Sequence, residues 1–149
     1  MASIIFEINT IKEADDDFMA IYKSNPDAAA QIAALLRAAS SDYLVFSSIM
    51  RAHLSYPPNN NITNYEPYYF DVCSIIELSK QKFEISRIKP LSTEDGENKY
   101  RIFYFCEQSK GFEEIFVIGF FHRNDINYHG DSAFSRKLKG RYEKYHSDY

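Results

Sequence analysis

The spacing of apolar residues changes along the chain, from helical periods in the first third to alternating, aromatic-rich runs in the second half. Ser3-Ile-Ile-Phe-Glu-Ile8 predicts a short first strand, and Asn9 or Thr10 is suited to cap a helix that follows it. Ser24-Asn25-Pro26 interrupts that helix, and Pro26 can begin a second, Ala-rich helix that ends near Ser40. The beginning of the chain therefore predicts a strand and a helical hairpin.

Residues 43–54 fit two different structures. The run Leu44-Val45-Phe46 favours a strand, whereas Phe46, Ile49, Met50 and Leu54 recur at helical spacing after Asp42, which is suited to cap a helix. We favour a helix in this region. Residues 56–67 contain turn formers throughout and predict a loop.

The second half of the chain predicts a sheet and a closing helix. Turn formers at 92–98 and 108–111 separate strand candidates and indicate antiparallel hairpins. A last helix, capped by Asp131 or Ser132, is expected to run to about Tyr145. We therefore predict an α+β fold in a single domain over residues 1–149, with a small antiparallel sheet of about four strands, an N-terminal helical hairpin and a C-terminal helix. The strand candidates are Tyr68–Ile76, Phe83–Lys89, Tyr100–Cys106 and Ile115–Phe121.

Charge is distributed unevenly along a chain that is unusually rich in Tyr and Phe, with 12 of each and no Trp. Residues 1–75 hold 4 Lys/Arg against 9 Asp/Glu, whereas residues 76–149 hold 13 against 12. The total of −4 argues against strong nonspecific binding to nucleic acids. Residues 136–144, however, carry five basic side chains against one acid, and they predict a local cationic surface.

Several classes of site and location are disfavoured by the sequence. Cys73 and Cys106 have no zinc-type spacing and are expected to be buried free thiols. His122 and His129 are seven residues apart, which does not fit a zinc-binding pair, so we expect no metal and no cofactor. The longest apolar run, residues 115–121, is far shorter than the ~20 residues of a membrane span, and no signal-peptide pattern is evident. We expect a cytoplasmic protein.

Three local patterns carry a resemblance to a known family. They are Phe83-Glu-Ile-Ser-Arg-Ile-Lys-Pro-Leu91, Lys99-Tyr-Arg-Ile-Phe-Tyr-Phe105, and Val117-Ile-Gly-Phe-Phe-His-Arg123 followed by Tyr128. With the predicted order of elements, they resemble the RelE/ParE superfamily, the toxins of bacterial toxin–antitoxin modules. The resemblance covers residues 70–145 best and hardly reaches residues 41–69, which we interpret as an unmatched insertion. Members of the family are usually shorter and more basic than this chain.

The resemblance implies one of two activities. The RelE-like branch cleaves messenger RNA on the ribosome by attack of a 2′-hydroxyl on the adjacent phosphate, and the ParE-like branch inhibits DNA gyrase without cleavage. We favour the ribosome-dependent endoribonuclease. The alternative is a noncatalytic binding protein of the same fold, either a gyrase inhibitor or an adaptor that uses exposed aromatic residues and the 56–67 loop. Either toxin is expected to have an antitoxin as its partner.

The resemblance also assigns candidate catalytic residues. Metal-free cleavage needs cations around the phosphate, a base for the 2′-hydroxyl and an acid for the leaving 5′-oxygen. Arg and Lys suit the first task because they keep their charge and offer several donors. Arg87, Lys89, Arg101 and Arg123 match basic positions of the family, and His122 or Tyr128 matches its proton-transfer positions. Arg101→Ala is expected to abolish cleavage and to change the thermal midpoint by only a few degrees.

Each of these residues also has an ordinary explanation. Arg87 and Lys89 can be core-flanking cations at a strand end, and Arg101 can be paired with Glu84 or Glu114. His122 and His129 can be surface residues, and Tyr128 can serve packing. The basic run is either a solvated helix face or a contact with ribosomal RNA, which would use Arg136, Lys137, Lys139 and Arg141.

Overall fold

A mixed β-sheet lies between helices on both of its faces in the computed structural model, which describes residues 3–54, 61–65, 68–91 and 98–146. This architecture confirms the predicted α+β class. In chain order the described elements are β1 (Ile5–Thr10), α1 (Lys12–Ser24), α2 (Pro26–Ser41), α3 (Tyr43–Leu54), β2 (Asn61–Tyr65), β3 (Tyr68–Ser74), α4 (Ile76–Ser79), β4 (Ser86–Leu91), β5 (Tyr100–Ser109), β6 (Phe112–His122), a 3₁₀ turn (Arg123–Asp125) and α5 (Ala133–Tyr145).

Six strands of the described residues form the sheet, in the order β1-β6-β5-β4-β3-β2. β1 pairs with β6 in parallel, and the remaining neighbours are antiparallel. The sheet is therefore larger than the four strands expected, and it is not purely antiparallel. Residues 61–65 were expected in a loop, and that prediction is wrong because they pair with residues 68–72 as a hairpin. The rest of the expected loop, residues 56–60 and 66–67, lies outside the described residues.

The two faces of the sheet are packed by different helices. Val45, Phe46, Ile49 and Met50 are at most 2% exposed on α3, and the Tyr104 hydroxyl donates to the Ile49 carbonyl at 2.9 Å. This buried stripe confirms the helix favoured for residues 43–54, because period-3.6 burial against the sheet overrides the local strand preference. On the other face, α5 places aromatic rings over β5 and β6, through the pairs Phe103–Phe134, Phe121–Phe134 and Phe105–Tyr142.

Side-chain capping explains where α2 and α5 begin. Asn25 accepts a hydrogen bond from the Ala28 N–H at 3.2 Å at the start of α2, with Pro26 following it as expected. Ser132 accepts from the Ser135 N–H at 3.1 Å, so Ser132 rather than Asp131 caps α5. α1 differs from the prediction: because β1 continues to Thr10, the cap position falls on Ile11, which has no side-chain acceptor.

The ion pair between Asp17 and Arg141 covers the backbone edge of residues 118–120 on β6. β1 ends opposite Val117, so the backbone groups of residues 118–120 have no strand partner on that side among the described residues. Asp17 on α1 accepts from the Phe120 N–H at 3.2 Å, and Arg141 on α5 donates to the Ile118 carbonyl at 2.9 Å. Arg141 also binds Asp17, at 2.6 Å. The two helices thus satisfy the backbone of this edge and connect the two sides of the sheet.

Gly119 permits this arrangement. A Cβ atom at residue 119 would lie 2.9 Å from Arg141 Nη1 and 2.5 Å from the Phe121 ring. A side chain there would therefore displace the guanidinium that binds the Ile118 carbonyl.

Within the described ranges, no single helix combines the length and apolar composition that crossing a bilayer requires, although α2 and residues 43–51, bent by 100°, meet these two criteria as a pair.

Candidate functional site

Three of the predicted basic residues lie on one face of the sheet. The register places Arg87 between Cys73 on β3 and Phe103 on β5, and Lys89 opposite Asp71. Arg101 is two residues from Phe103 on the same strand, so it shares that face. Because the Phe103 ring contacts Phe134, this is the face that α5 covers. Strand pairing therefore brings Arg87, Lys89 and Arg101 together.

Arg87 is mostly buried, with 14% of its side chain exposed. Its Nη2 donates to Asp71 Oδ2 at 3.1 Å and to Cys73 Sγ at 2.9 Å. Burial disfavours the charged guanidinium, but Cys73, Tyr128 and Asp71 more than offset that effect and raise the pKa of Arg87. The residue therefore keeps its charge.

The Arg87–Asp71 pair is incompletely satisfied. The buried atoms Arg87 Nε and Asp71 Oδ1 have no hydrogen-bond partner among the described residues. Most buried polar atoms in proteins do have partners, and exceptions occur often at functional sites. Within the described residues, the pair therefore leaves one buried donor and one buried acceptor unused.

The Arg101 side chain is hydrogen-bonded to backbone carbonyls at the start of β5. It is 7% exposed, and its Nη1 donates to the carbonyls of Asn98 at 2.8 Å and Tyr100 at 3.1 Å. Its register partner on β6 is Phe121, whereas Glu114 lies opposite Glu107. Because Arg101→Ala would remove donors from two carbonyls, we now expect it to lower stability substantially. That variant is therefore a poor test of phosphate binding.

Tyr128 follows the 3₁₀ turn and approaches Arg87 from the α5 side. Its ring lies edge-on to Phe134, with centroids 6.0 Å apart, and 39% of the residue is exposed. Burial of the hydroxyl raises the pKa of Tyr128, although the charges of Arg87 and Arg101 oppose that shift. The phenol is therefore protonated at neutral pH and can donate a proton, not accept one.

Arg87 and Tyr128 line a common cavity of about 430 Å³. We call it the Arg87 cavity; the remaining lining residues come from the end of β3 and the start of α4, and they are Cys73, Ser74, Ile75, Ile76 and Glu77. Its walls are largely apolar, with one guanidinium and one carboxylate among them. This composition is typical of sites that bind small organic groups with an attached charge.

His122 is separated from this cavity by the sheet. It pairs with Tyr100 on β5, one residue out of phase with Arg101 and Phe121, and therefore belongs to the opposite face. There it lines a second cavity of about 280 Å³ with Asp17 and Asp125, and its Nδ1 accepts from the Asn124 N–H at 3.1 Å. Arg123 is exposed in the 3₁₀ turn, and its backbone N–H donates to the Lys99 carbonyl at 2.7 Å. The structure does not place His122 with the Arg87–Tyr128 pair.

The basic residues of α5 divide into two groups. Lys139 donates to Gln81 and to the Gly130 carbonyl, both at 2.8 Å, and Arg141 binds Asp17. These two side chains hold neighbouring segments together. Arg136 and Lys137 are exposed, and Lys137 Nζ lies 5.6 Å from the centroid of the Phe121 ring. The open cationic surface is thus smaller than the sequence indicates.

Asp71 and Glu77 were not singled out from the sequence, and Cys73 was expected only as a buried free thiol although it is half-buried. Asp71 and Cys73 contact Arg87 across the β3–β4 ladder, and Glu77 lines the cavity from α4. Alternation along residues 68–74 places Asp71 and Cys73 on one face, which is the available signal. The pairing of that face with Arg87 depends on the register, which alternation does not specify.

No family model matches the chain, and neither a curated protein nor a solved structure matches it.

Among the described residues, no group of three or more His, Cys, Asp or Glu side chains is arranged to hold a metal ion.

Proposed function

We propose that this chain is a RelE-like toxin that acts as a ribosome-dependent messenger RNA endoribonuclease, with its phosphate site in the Arg87 cavity. The observation that supports the proposal is that Arg87 and Tyr128, two residues matched to the family for separate roles, line the same cavity although 41 positions separate them. A fixed cation beside a protonated phenol is suited to a phosphate whose leaving oxygen needs a proton.

In the proposed reaction, the 2′-oxygen of a ribose attacks the adjacent phosphorus and the bond from phosphorus to the 5′-oxygen breaks. Arg87 stabilises the negative charge that develops on the phosphate oxygens. Tyr128 gives its proton to the departing 5′-oxygen. Glu77, the carboxylate in the cavity lining, takes the proton of the 2′-hydroxyl. The products are a 2′,3′-cyclic phosphate and a 5′-hydroxyl end.

Lys89 and Arg101, which also match the family, have supporting roles in this proposal. Lys89 lies two residues from Arg87 on β4. The positive charge of Arg101 opposes the rise in the pKa of Tyr128. The hydrogen bonds of Arg101 to two backbone carbonyls hold the start of β5. The family resemblance adds an antitoxin, the ribosome and messenger RNA as partners in the cytoplasm. The chemistry requires no metal or cofactor.

The variant that tests the proposal is Tyr128→Phe, which removes one hydroxyl from a partly exposed ring. Cleavage of a defined messenger RNA on programmed ribosomes is expected to fall by about 10²-fold or more, the usual loss when a general acid is removed. The thermal midpoint is expected to stay unchanged, because the described structure gives this hydroxyl no hydrogen bond. Tyr22→Phe, at a tyrosine that is 57% exposed on α1, is the matched control and should cleave normally. Normal cleavage by Tyr128→Phe would remove the acid role, and no cleavage by a folded wild-type protein would remove the nuclease.

The separation of His122 and the ion pair at Arg87 favour a second candidate, a noncatalytic binding protein of the same fold. Arg87 is already partly neutralised by Asp71, and no histidine is described in the lining of its cavity. Such a protein would act as a gyrase inhibitor or as an adaptor. Inhibition of DNA supercoiling by the purified protein, without any cut in the messenger RNA, would support this candidate over the nuclease.

A further inference from the structure

Two exposed apolar side chains flank the Arg87 cavity. Ile76, at the start of α4, is 53% exposed, and Tyr128 is 39% exposed. The described part of the chain exposes seven large hydrophobic residues to a comparable degree, and these two line one cavity. Such residues are unremarkable when scattered singly, but their convergence on a cavity indicates a ligand with an apolar surface.

The lining specifies the ligand further. Ile75, Ile76 and the Tyr128 ring form apolar walls, and Arg87 supplies a positive charge. Nη1 of Arg87 makes no hydrogen bond with any described residue, so that group retains donors for an anion. A volume of about 430 Å³ is in the range of sites for small organic groups. The fitting ligand therefore joins an apolar group to an anion.

We propose that the Arg87 cavity binds one unstacked base of single-stranded RNA between Ile76 and Tyr128, with the attached phosphate at Arg87. The inference rests on the proposed function and adds to it a base-binding role for Ile76. Single-stranded RNA is commonly recognised in this way, because a base that leaves the stack presents a flat face to an aromatic ring and edges to polar groups. Glu77 in the lining repels a phosphate and a carboxylate alike, so it is the partly exposed ring of Tyr128 that favours a base over an acidic peptide.

The test measures binding without cleavage. The probe is a fluorescent 2′-O-methyl RNA pentamer, which lacks the attacking hydroxyl, and its partner probe carries an abasic central residue. Ile76→Ala is expected to weaken binding of the complete probe by roughly tenfold, the order of a lost base-stacking contact, and to leave the abasic probe unchanged. Leu44→Ala, at a leucine that is 60% exposed on α3, is the matched control and should alter neither affinity. Both substitutions remove exposed side chains, so both variants are expected to fold.

Tyr128→Phe separates this inference from the nuclease. The variant keeps the ring, so its affinity for the uncleavable probe should match the wild type while its cleavage activity falls. Base-dependent binding by a protein that never cuts RNA would support the base site and reject the nuclease. Equal affinity of the two probes for the wild type, or unchanged binding by Ile76→Ala, would overturn the base site even if cleavage is intact. Tighter binding of an acidic peptide than of RNA at the cavity would overturn it also.

Discussion

The pairs Arg141–Asp17 and Arg87–Asp71 have similar burial, with side-chain exposures of 13%/20% and 14%/17%, but they differ in how completely they are bonded. Both oxygens of Asp17 accept from Arg141, and Oδ2 also accepts from the Phe120 N–H. The Arg87–Asp71 pair has one contact, at 3.1 Å, and leaves Arg87 Nε and Asp71 Oδ1 without described partners. The first pair covers a strand edge, and the second borders a cavity.

The difference in bonding indicates that Arg141 serves the structure, whereas Arg87 is available to bind an anion. A buried ion pair compensates for its desolvation only when hydrogen bonds satisfy most of its atoms. Asp17 and Arg141 meet that condition by binding the backbone of β6. Asp71 holds Arg87 without saturating it, so an anion in the cavity can compete for the guanidinium. Substitutions at the two aspartates should therefore have different consequences.

The largest effect on stability is expected from Asp17→Asn. Removing this charge leaves Arg141 without its carboxylate partner, and the free energy of unfolding should fall by about 2–3 kcal/mol. Asp16→Asn is a control on the same helix, because Asp16 forms an exposed pair with Lys12, at exposures of 69% and 81%, and should cost less than about 0.5 kcal/mol. Urea unfolding measures both. Equal, small losses would mean that the covered strand edge does not depend on the ion pair.

Asp71→Asn should have a smaller cost and a gain that Asp17→Asn lacks. We expect the free energy of unfolding to fall by about 1–2 kcal/mol, since one hydrogen bond between charged groups is weakened. The affinity for the uncleavable RNA probe should rise by about fivefold, because the carboxylate no longer competes with phosphate for Arg87. Fluorescence anisotropy at fixed salt provides the measurement. A loss of affinity would show that Asp71 orients Arg87 for the ligand instead of competing with it.

The smallest effect is expected at Glu114, a carboxylate that lies close to two other carboxylates. It lies in register with Glu7 and Glu107, and Asn9 Nδ2 donates to it. Burial and the two neighbouring carboxylates raise the pKa of Glu114, so the protonated form is favoured by folding and the stabilisation is lost as pH rises through the folded-state pKa.

Glu114→Gln should therefore raise Tm at pH 7 by about 1–2 °C. At about pH 3, below the ordinary glutamate range, the variant and the wild type should melt together. Thermal melts across this pH interval test the sign. A lower Tm for the variant at pH 7 would mean that ionised Glu114 stabilises the fold.

The longer helices and the strand centres could be predicted because their signals are local, whereas α4 was not predicted and Ile76, its first residue, was expected in a strand. Asn25-Pro26 and Ser132 provide caps within one turn of the helices that they begin, and the alternating runs around Tyr100–Cys106 and Ile115–Phe121 lie inside β5 and β6. The parallel partner of β1 and the strand at residues 61–65 were not predictable in this way. Their backbone groups pair with residues whose identity depends on the topology of the whole sheet.

The candidate site also has some features that local sequence patterns predict and others that depend on the pairing of distant segments. The charged residues can be read from the sequence, and alternation along β4 places Arg87 and Lys89 on one face, because side-chain direction in a strand depends only on parity. The pairing of distant segments set three further features: Tyr128 lies in one cavity with Arg87, His122 lies on the other face, and Asp71 and Cys73 accept from Arg87 Nη2. Contacts between distant segments set the distances between charges, and local periodicity carries no information about those distances.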